Sequence, residues 1–243
     1  MSASRLRIVE LFPGLLFNQG DGGNVVALAW RARRRGIEVE LGAVGLGDRV
    51  PAADIYVIGG AEDEDQAVVA ARLATDGTLT GAVADGAVIF GVDAGYEILC
   101  RTFPGPDGAP VAGLGLLDVD VTLGEFVDRR AVTRSVPALG LPAMSGYESH
   151  RGRASFGPAA VPLAELELGT GNGGQPATDG AIQGNVVGTW LHGPVLPRNA
   201  EFADLLLQRA AGGTLSALDE GESRFAALVR DERIAEAHRF RRP

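Results

Sequence analysis

Short apolar runs alternate with longer stretches of helical spacing over the first hundred residues. Residues 6–11 read as a buried strand, and residues 24–35 as a helix with Val25, Leu28, Ala29 and Ala32 on one face. Gly36 ends that helix. Residues 37–41 alternate as a strand, and residues 55–58 form another buried strand that closes on Gly59-Gly60. Residues 66–73 are helical, 87–92 form a strand, and 96–100 begin the next helix. This β-α-β rhythm predicts an α/β fold, a mostly parallel sheet flanked by helices.

The second half changes character. Residues 114–123, 131–136, 143–147 and 186–191 read as strands. Residues 169–180 are too polar and glycine-rich for a core strand and read as a loop. A helix is expected over 200–211, and acids alternating with arginines at helical spacing predict an exposed or partner-facing helix over 223–240. The expected division is a main domain over 1–212 and a C-terminal helical extension over 213–243.

The chain has 243 residues, 46% of them apolar and 22% charged, which fits one soluble globular domain. Its 22 basic residues are all arginine and stand against 31 acids, for a net charge of −9. An acidic surface argues against a nucleic-acid binder. The two arginine runs, 33–35 and 239–242, read as solvated helix edges. A single cysteine, Cys100, excludes a disulfide framework and any multi-cysteine metal site. No run approaches the roughly 20 apolar residues that span a bilayer, and no signal-peptide core precedes the first strand. A cytoplasmic protein without metal or cofactor is expected.

In an open parallel sheet, ligands bind outside the carboxyl ends of the strands. Three glycine-marked strand ends qualify: residues 18–24, Gly59-Gly60, and 91–95. The last is the most informative. Val88-Ile89-Phe90-Gly91-Val92-Asp93-Ala94-Gly95-Tyr96-Glu97 reads as strand, sharp turn and helix, with small residues two places either side of Asp93. That is the layout of a nucleophile elbow, whose central residue sits in a strained conformation at a helix N-terminus. An Asp that merely caps the helix fits the same residues.

Four segments across roughly residues 5 to 210 resemble the class I glutamine amidotransferase family, in its CobB/CobQ-like, GatD-type branch. Asn18-Gln19-Gly20-Asp21-Gly22-Gly23-Asn24 resembles the Gly-Asp-x-Gly-Asn helix entrance. Gly59-Gly60-Ala61-Glu62-Asp63-Glu64-Asp65-Gln66 resembles a Gly-Gly-Gly-x-Asp-x-x-Gln loop, and Gly146-Tyr147-Glu148-Ser149-His150 resembles Gly-Phe-Glu-Asn-His. The most specific is Gly188-Thr189-Trp190-Leu191-His192-Gly193-Pro194-Val195-Leu196-Pro197-Arg198-Asn199, similar to Gly-Thr-Tyr-Leu-His-Gly-Pro-Leu-Leu-Pro-Lys-Asn.

The resemblance implies an elbow cysteine that attacks the glutamine carboxamide, a histidine that moves the proton, and backbone amides that hold the oxyanion. His192 matches the histidine, and Gly59, Gly60 and Ala94 match the oxyanion region. Arg129, or else Arg130, falls near the arginine that binds the substrate carboxylate. The cysteine is not matched: Asp93 stands there, and Glu97 takes the place of the usual glutamine. A carboxylate beside His192 would form an ion pair, raising the histidine pKa and lowering that of the aspartate. Cys100 lies two helical turns beyond, about 10 Å along the axis, and reads as a small core hydrophobe. His150 is expected to order a loop and His238 to be solvated.

Three functions follow as expectations. The first is a subunit that has lost glutaminase chemistry and acts as scaffold or regulator of a MurT-like, Mur ligase-type ATP-dependent amide ligase. The second is a hydrolase in which Asp93 attacks carbon and His192 activates water. The third is a binding module holding glutamine or a related small molecule without turnover.

Overall fold

The computed structural model describes residues 5–16, 20–61 and 63–240. Of the residues singled out above, Asn18, Gln19, Glu62, Arg241 and Arg242 lie outside the described set.

The first half builds a wound sheet. In chain order it comprises β1 (Arg5–Leu11), α1 (Gly22–Arg33), β2 (Glu38–Val44), β3 (Ile55–Ile58), α2 (Asp63–Asp76), α3 (Thr78–Ala84), β4 (Val88–Val92) and α4 (Ala94–Leu99). Next come β5 (Thr102–Pro104), β6 (Pro110–Ala112), β7 (Val119–Thr133), β8 (Ser145–Phe156), β9 (Ala164–Leu168) and β10 (Thr178–Asp179). The chain then returns to the first sheet with β11 (Ala181–Gln183) and β12 (Val186–Thr189), and finishes with α5 (Val195–Arg198), α6 (Ala200–Ala210) and α7 (Glu220–Arg239).

The first sheet runs β11-β12-β4-β3-β1-β2, parallel except for β11. Its central strands β3 and β4 are buried along their whole length, as expected of strands covered on both faces. One core packs α1, α5 and α6 against one face of this sheet, with Phe90 edge-on to Phe202 at 5.5 Å. A second core lies on the other face, around Tyr56, Tyr96, Leu99 and Trp190.

A second, largely antiparallel sheet, β10-β9-β7-β5-β6 with β8 on β7, was not foreseen as a separate layer. The expected strands at 114–123 and 131–136 overlap the two ends of one long strand, β7, and the expected 143–147 overlaps β8, which continues to Phe156. Two glycines within β8 hide it from a pattern reading. A Cβ on Gly146 would stand 2.7 Å from Leu191 Cβ, and one on Gly152 would stand 2.2 Å from the Trp190 ring. Glycine is there so that β8 can lie against the segment after β12.

Helix α7 is less detached than the pattern suggests. Arg230 pairs with Glu201 at 2.6 Å, Arg130 with Glu236 at 3.2 Å, and Ala237 is buried. Arg35 also departs from its solvated reading: its side chain is 5% exposed and pairs with Asp204 at 2.8 Å. Among the described residues no helix is long and apolar enough to cross a membrane.

Candidate active site

The elbow forms where β4 ends. Asp93 has φ 53° and ψ −115°, a positive-φ conformation that a non-glycine residue adopts only when its surroundings hold it there. Its N–H bonds the Thr189 carbonyl at 2.9 Å, which fixes the turn to the end of neighbouring β12, and its own carbonyl accepts the Glu97 N–H at 3.1 Å. The flanking glycines are required. A Cβ on Gly91 would meet the Gly95 carbonyl oxygen at 2.5 Å, and a Cβ on Gly95 would meet the Ile58 carbonyl oxygen at 2.3 Å.

The surroundings of Asp93 are acidic. The place where Gly60 would carry a Cβ is 3.0 Å from Asp93 Oδ2 and 3.4 Å from Asp21 Oδ2, so Gly60 lets two carboxyl groups come to one spot. Asp21 is fully buried, and burial raises its pKa. Its Oδ2 accepts the Gly60 N–H at 2.9 Å, while its Oδ1 has no hydrogen-bond partner among the described residues. The Gly60 amide, expected to help hold an oxyanion, is thus directed to Asp21. Glu97 Oε2 accepts a hydrogen bond from Gln66 Nε2 at 2.6 Å.

Asp93, Ala94, Glu97, Gln66, His150 and Arg151 line one cavity of about 510 Å³. His192 opens onto another, of about 670 Å³, together with Arg130, Arg198 and Arg233; Ser149 belongs to both. The two residues of the expected dyad therefore sit at the ends of adjacent parallel strands and line adjoining cavities that meet at Ser149, with no hydrogen bond from His192 Nε2 to a described residue. His192 exchanges both backbone hydrogen bonds with Tyr147, at 2.9 and 3.2 Å. Its ring is buried and its Nε2 has no partner among the described residues.

The expected ion pair is corrected by this setting. Burial, with lesser help from His150 and Arg198, pushes the His192 pKa down to about 4 rather than up. The imidazole is neutral at physiological pH.

Other expectations sort by strand geometry. Alternation along β7 sends Arg130, not Arg129, into the His192 cavity; Arg129 is exposed and lines neither space. Cys100 is fully buried, its thiol bonded to the Tyr96 carbonyl at 3.3 Å and its pKa pushed well up by burial. It is a core residue.

His150, expected to order a loop, lies in β8 with neither ring nitrogen hydrogen-bonded to a described residue, stacked on Trp190 with ring centroids 4.0 Å apart. Loop ordering falls to its neighbour Glu148, whose oxygens accept the Thr170 and Gly171 N–H groups at 2.7 Å each. His238 stays exposed.

Arg151 is the residue the sequence reading missed. It follows His150 directly and brings a cation to the Asp93 cavity, with its guanidinium 5.7 Å from the Phe126 ring centroid. The Asn18–Asn24 motif gains a physical reason. Asn24 Oδ1 accepts the Leu196 N–H at 2.9 Å, and Gly23 leaves room for Pro194, which a Cβ would approach to 2.5 Å. The helix entrance thus fixes the segment that carries His192.

A wound sheet with an elbow at β4 and a histidine segment after β12 is the architecture of the class I glutamine amidotransferases. Similar folds are seen in PurLQS from Thermotoga maritima (TM-score 0.59, 15% identity, covering 87% of this chain and 99% of that one). A structure described as a glutamine amidotransferase gives a TM-score of 0.55 at 18% identity, covering 83% of this chain and 98% of that one.

Residues 13–200 match the CobB/CobQ-like glutamine amidotransferase domain, and the chain belongs to that family. It is 32% identical over 195 residues to the subunit GatD of lipid II isoglutaminyl synthase (glutamine-hydrolyzing) from Staphylococcus aureus strain N315, covering 78% of each chain. The GatD subunit of Streptococcus pneumoniae strain R6 is 26% identical over 215 residues, 85% of this chain and 80% of that one. Cobyric acid synthase of Limosilactobacillus reuteri is 33% identical over 152 residues, 58% of this chain but 29% of that one.

Proposed function

We propose that the chain is a GatD-like subunit that keeps the amidotransferase fold, has lost glutaminase chemistry, and serves as scaffold or regulator of a MurT-like, Mur ligase-type ATP-dependent amide ligase in the cytoplasm. The observation that carries the reading is a carboxylate, Asp93, at the strained elbow where the resemblance places a cysteine. Attack by a carboxylate on an unactivated amide would have to form a mixed anhydride while expelling an amine. A thiolate forms a more accessible thioester, and its pKa is lowered beside a cation. Replacing the nucleophile of such a unit removes several orders of magnitude of rate.

The remaining groups support the same reading. Glu97, buried against Gln66, is a second acid on the cavity wall and disfavours a carboxylate-bearing substrate in the expected pose. The Gly60 amide is taken by Asp21. Cys100 is sequestered and its thiol is held protonated. The hydrolase alternative needs His192 to activate water at Asp93, and His192 Nε2 is buried without a hydrogen bond to Asp93 or any other described residue. The binding-module alternative shares the loss of turnover and differs in having no ligase partner.

The test is ammonium release from L-glutamine by the purified chain and by the double variant Asp93→Cys, Glu97→Gln, with and without a co-purified ligase. The wild type is expected to stay at background and the double variant to exceed it. A wild-type rate matching the double variant, unaffected by thiol alkylation, would end the proposal. Failure of any Mur ligase-like protein to co-purify would leave the binding module as the better reading.

A further inference from the structure

The cavity under α7 contains more positive charge than its own residues neutralise. Arg130, Arg198 and Arg233 face it with one carboxylate, Glu236, an excess of two positive charges. Glu236 bridges two of them: Arg130 Nη2 is 3.2 Å from Glu236 Oε1, and Arg233 Nη1 is 3.1 Å from Glu236 Oε2. Arg198 is anchored by its Nε on the Gly193 carbonyl at 2.8 Å. Burial together with the nearby Arg233 and Arg130 disfavours its charge, which a bound anion would relieve. Asp128, also on β7, accepts the Tyr147 hydroxyl and keeps its charge, which acts on His192, but it is not among the residues that line the cavity.

Two uncharged groups complete the lining. Ser145 Oγ and His192 Nε2 have no hydrogen-bond partner among the described residues, in side chains whose residues are each 3% exposed. Both atoms are themselves buried, behind the cavity wall, where a hydroxyl and an imidazole nitrogen without partners are costly. Neutral His192 adds no charge, so the excess of two is set by the arginines.

We propose that this cavity is a binding site for a dianionic oxyanion of the phosphate-monoester class, with Glu236 as a tethered stand-in that the ligand displaces. Guanidinium forks suit phosphate oxygens, and a dianion balances the excess that a single carboxylate leaves. Ser145 and His192 form the buried wall behind the guanidinium groups, so a ligand held there changes the surroundings of the His192 ring. The side chains of Arg233 and Glu236 are 50% and 27% exposed, so their ion pair is of the surface kind that contributes little and exchanges readily. The site adjoins the Asp93 cavity at Ser149 and includes His192 and Arg130, to which the resemblance gives glutamine-site roles. It therefore rests on that chemistry being lost, while phosphate binding is read without any glutamine turnover.

The test titrates inorganic phosphate into the full chain at constant ionic strength by calorimetry, with glutarate as the competing chemistry. Three proteins are compared: wild type, Glu236→Gln and Arg233→Gln. Removing the stand-in should tighten phosphate binding about tenfold, and removing one guanidinium should weaken it about tenfold. Equal affinity in all three proteins overturns the proposal. So does glutarate binding as tightly as phosphate in Glu236→Gln, which would make this a carboxylate site. Should Arg233→Gln fail to fold, the His192 ring resonances of Glu236→Gln decide: phosphate must shift them, and unmoved resonances reject the site.

Discussion

Asp93 shows how tightly one backbone position can be determined. Its φ of 53° is held by the bond from its N–H to Thr189 and by glycines at 91 and 95 that let main chain touch main chain. Gly95→Ala would press a methyl group onto the Ile58 carbonyl and is expected to cost about 1–3 kcal/mol in urea denaturation, with loss of the elbow geometry. Gly36→Ala, at an exposed helix end, should retain that geometry despite its own unfavourable φ of 74°. The small-x-x-x-small spacing made this position legible in the sequence. Arg151 was not legible, because only the β8 path brings it to the Asp93 cavity. The choice between Arg129 and Arg130 likewise needed the strand's alternation, which a run of adjacent polar residues conceals.

Elements are joined here by a few polar ties as well as by apolar packing. Arg31 grips Asp204 through two bonds of 2.6 Å, and Arg35 adds a third of 2.8 Å, so one carboxylate on α6 holds two arginines of the α1 segment. The arginine side chains are 11% and 5% exposed. Asp204→Ala strands two nearly buried cations and should destabilise the chain by about 3 kcal/mol. Glu38→Ala, facing exposed Arg5, should stay within about 0.5 kcal/mol. Chemical denaturation of the two variants side by side separates buried from surface pairing. The same burial explains why Arg35, unlike exposed Arg33 and Arg34, departs from the solvated reading of the run at 33–35: charge composition shows a cation but not whether a partner helix covers it.

For the molecule as a whole, two buried groups pull stability in opposite directions with pH. Asp179 is fully buried, accepting the Thr189 hydroxyl at 2.6 Å and the Trp190 N–H at 3.2 Å, and burial pushes its pKa from 3.8 up to about 7. Between those values the unfolded chain has lost that proton and the folded chain keeps it, so stability falls as pH rises. Asp21, also raised, acts in the same sense. His192 runs the other way: its pKa drops from 6.5 to about 4, the unfolded chain binds the extra proton, and stability rises with pH across that window. Melting temperature from pH 4 to 7.5 should therefore climb more steeply in Asp179→Asn than in wild type, and less steeply, or fall, in His192→Gln. Parallel profiles in all three proteins would show that neither group titrates as its burial implies.

The sequence by itself determined the wound sheet, the elbow and the family. Periods of 2 and 3.6 residues, glycines at forced contacts and the segment 188–199 are local signals that survive without coordinates. Only the tertiary structure decided that much of the second half folds into a sheet of its own, that His192 Nε2 makes no bond to Asp93, and that burial keeps His192 neutral. Those outcomes depend on burial and on which distant strands meet. Desolvation and strand neighbours are properties of the packed molecule, so no spacing along the chain encodes them directly.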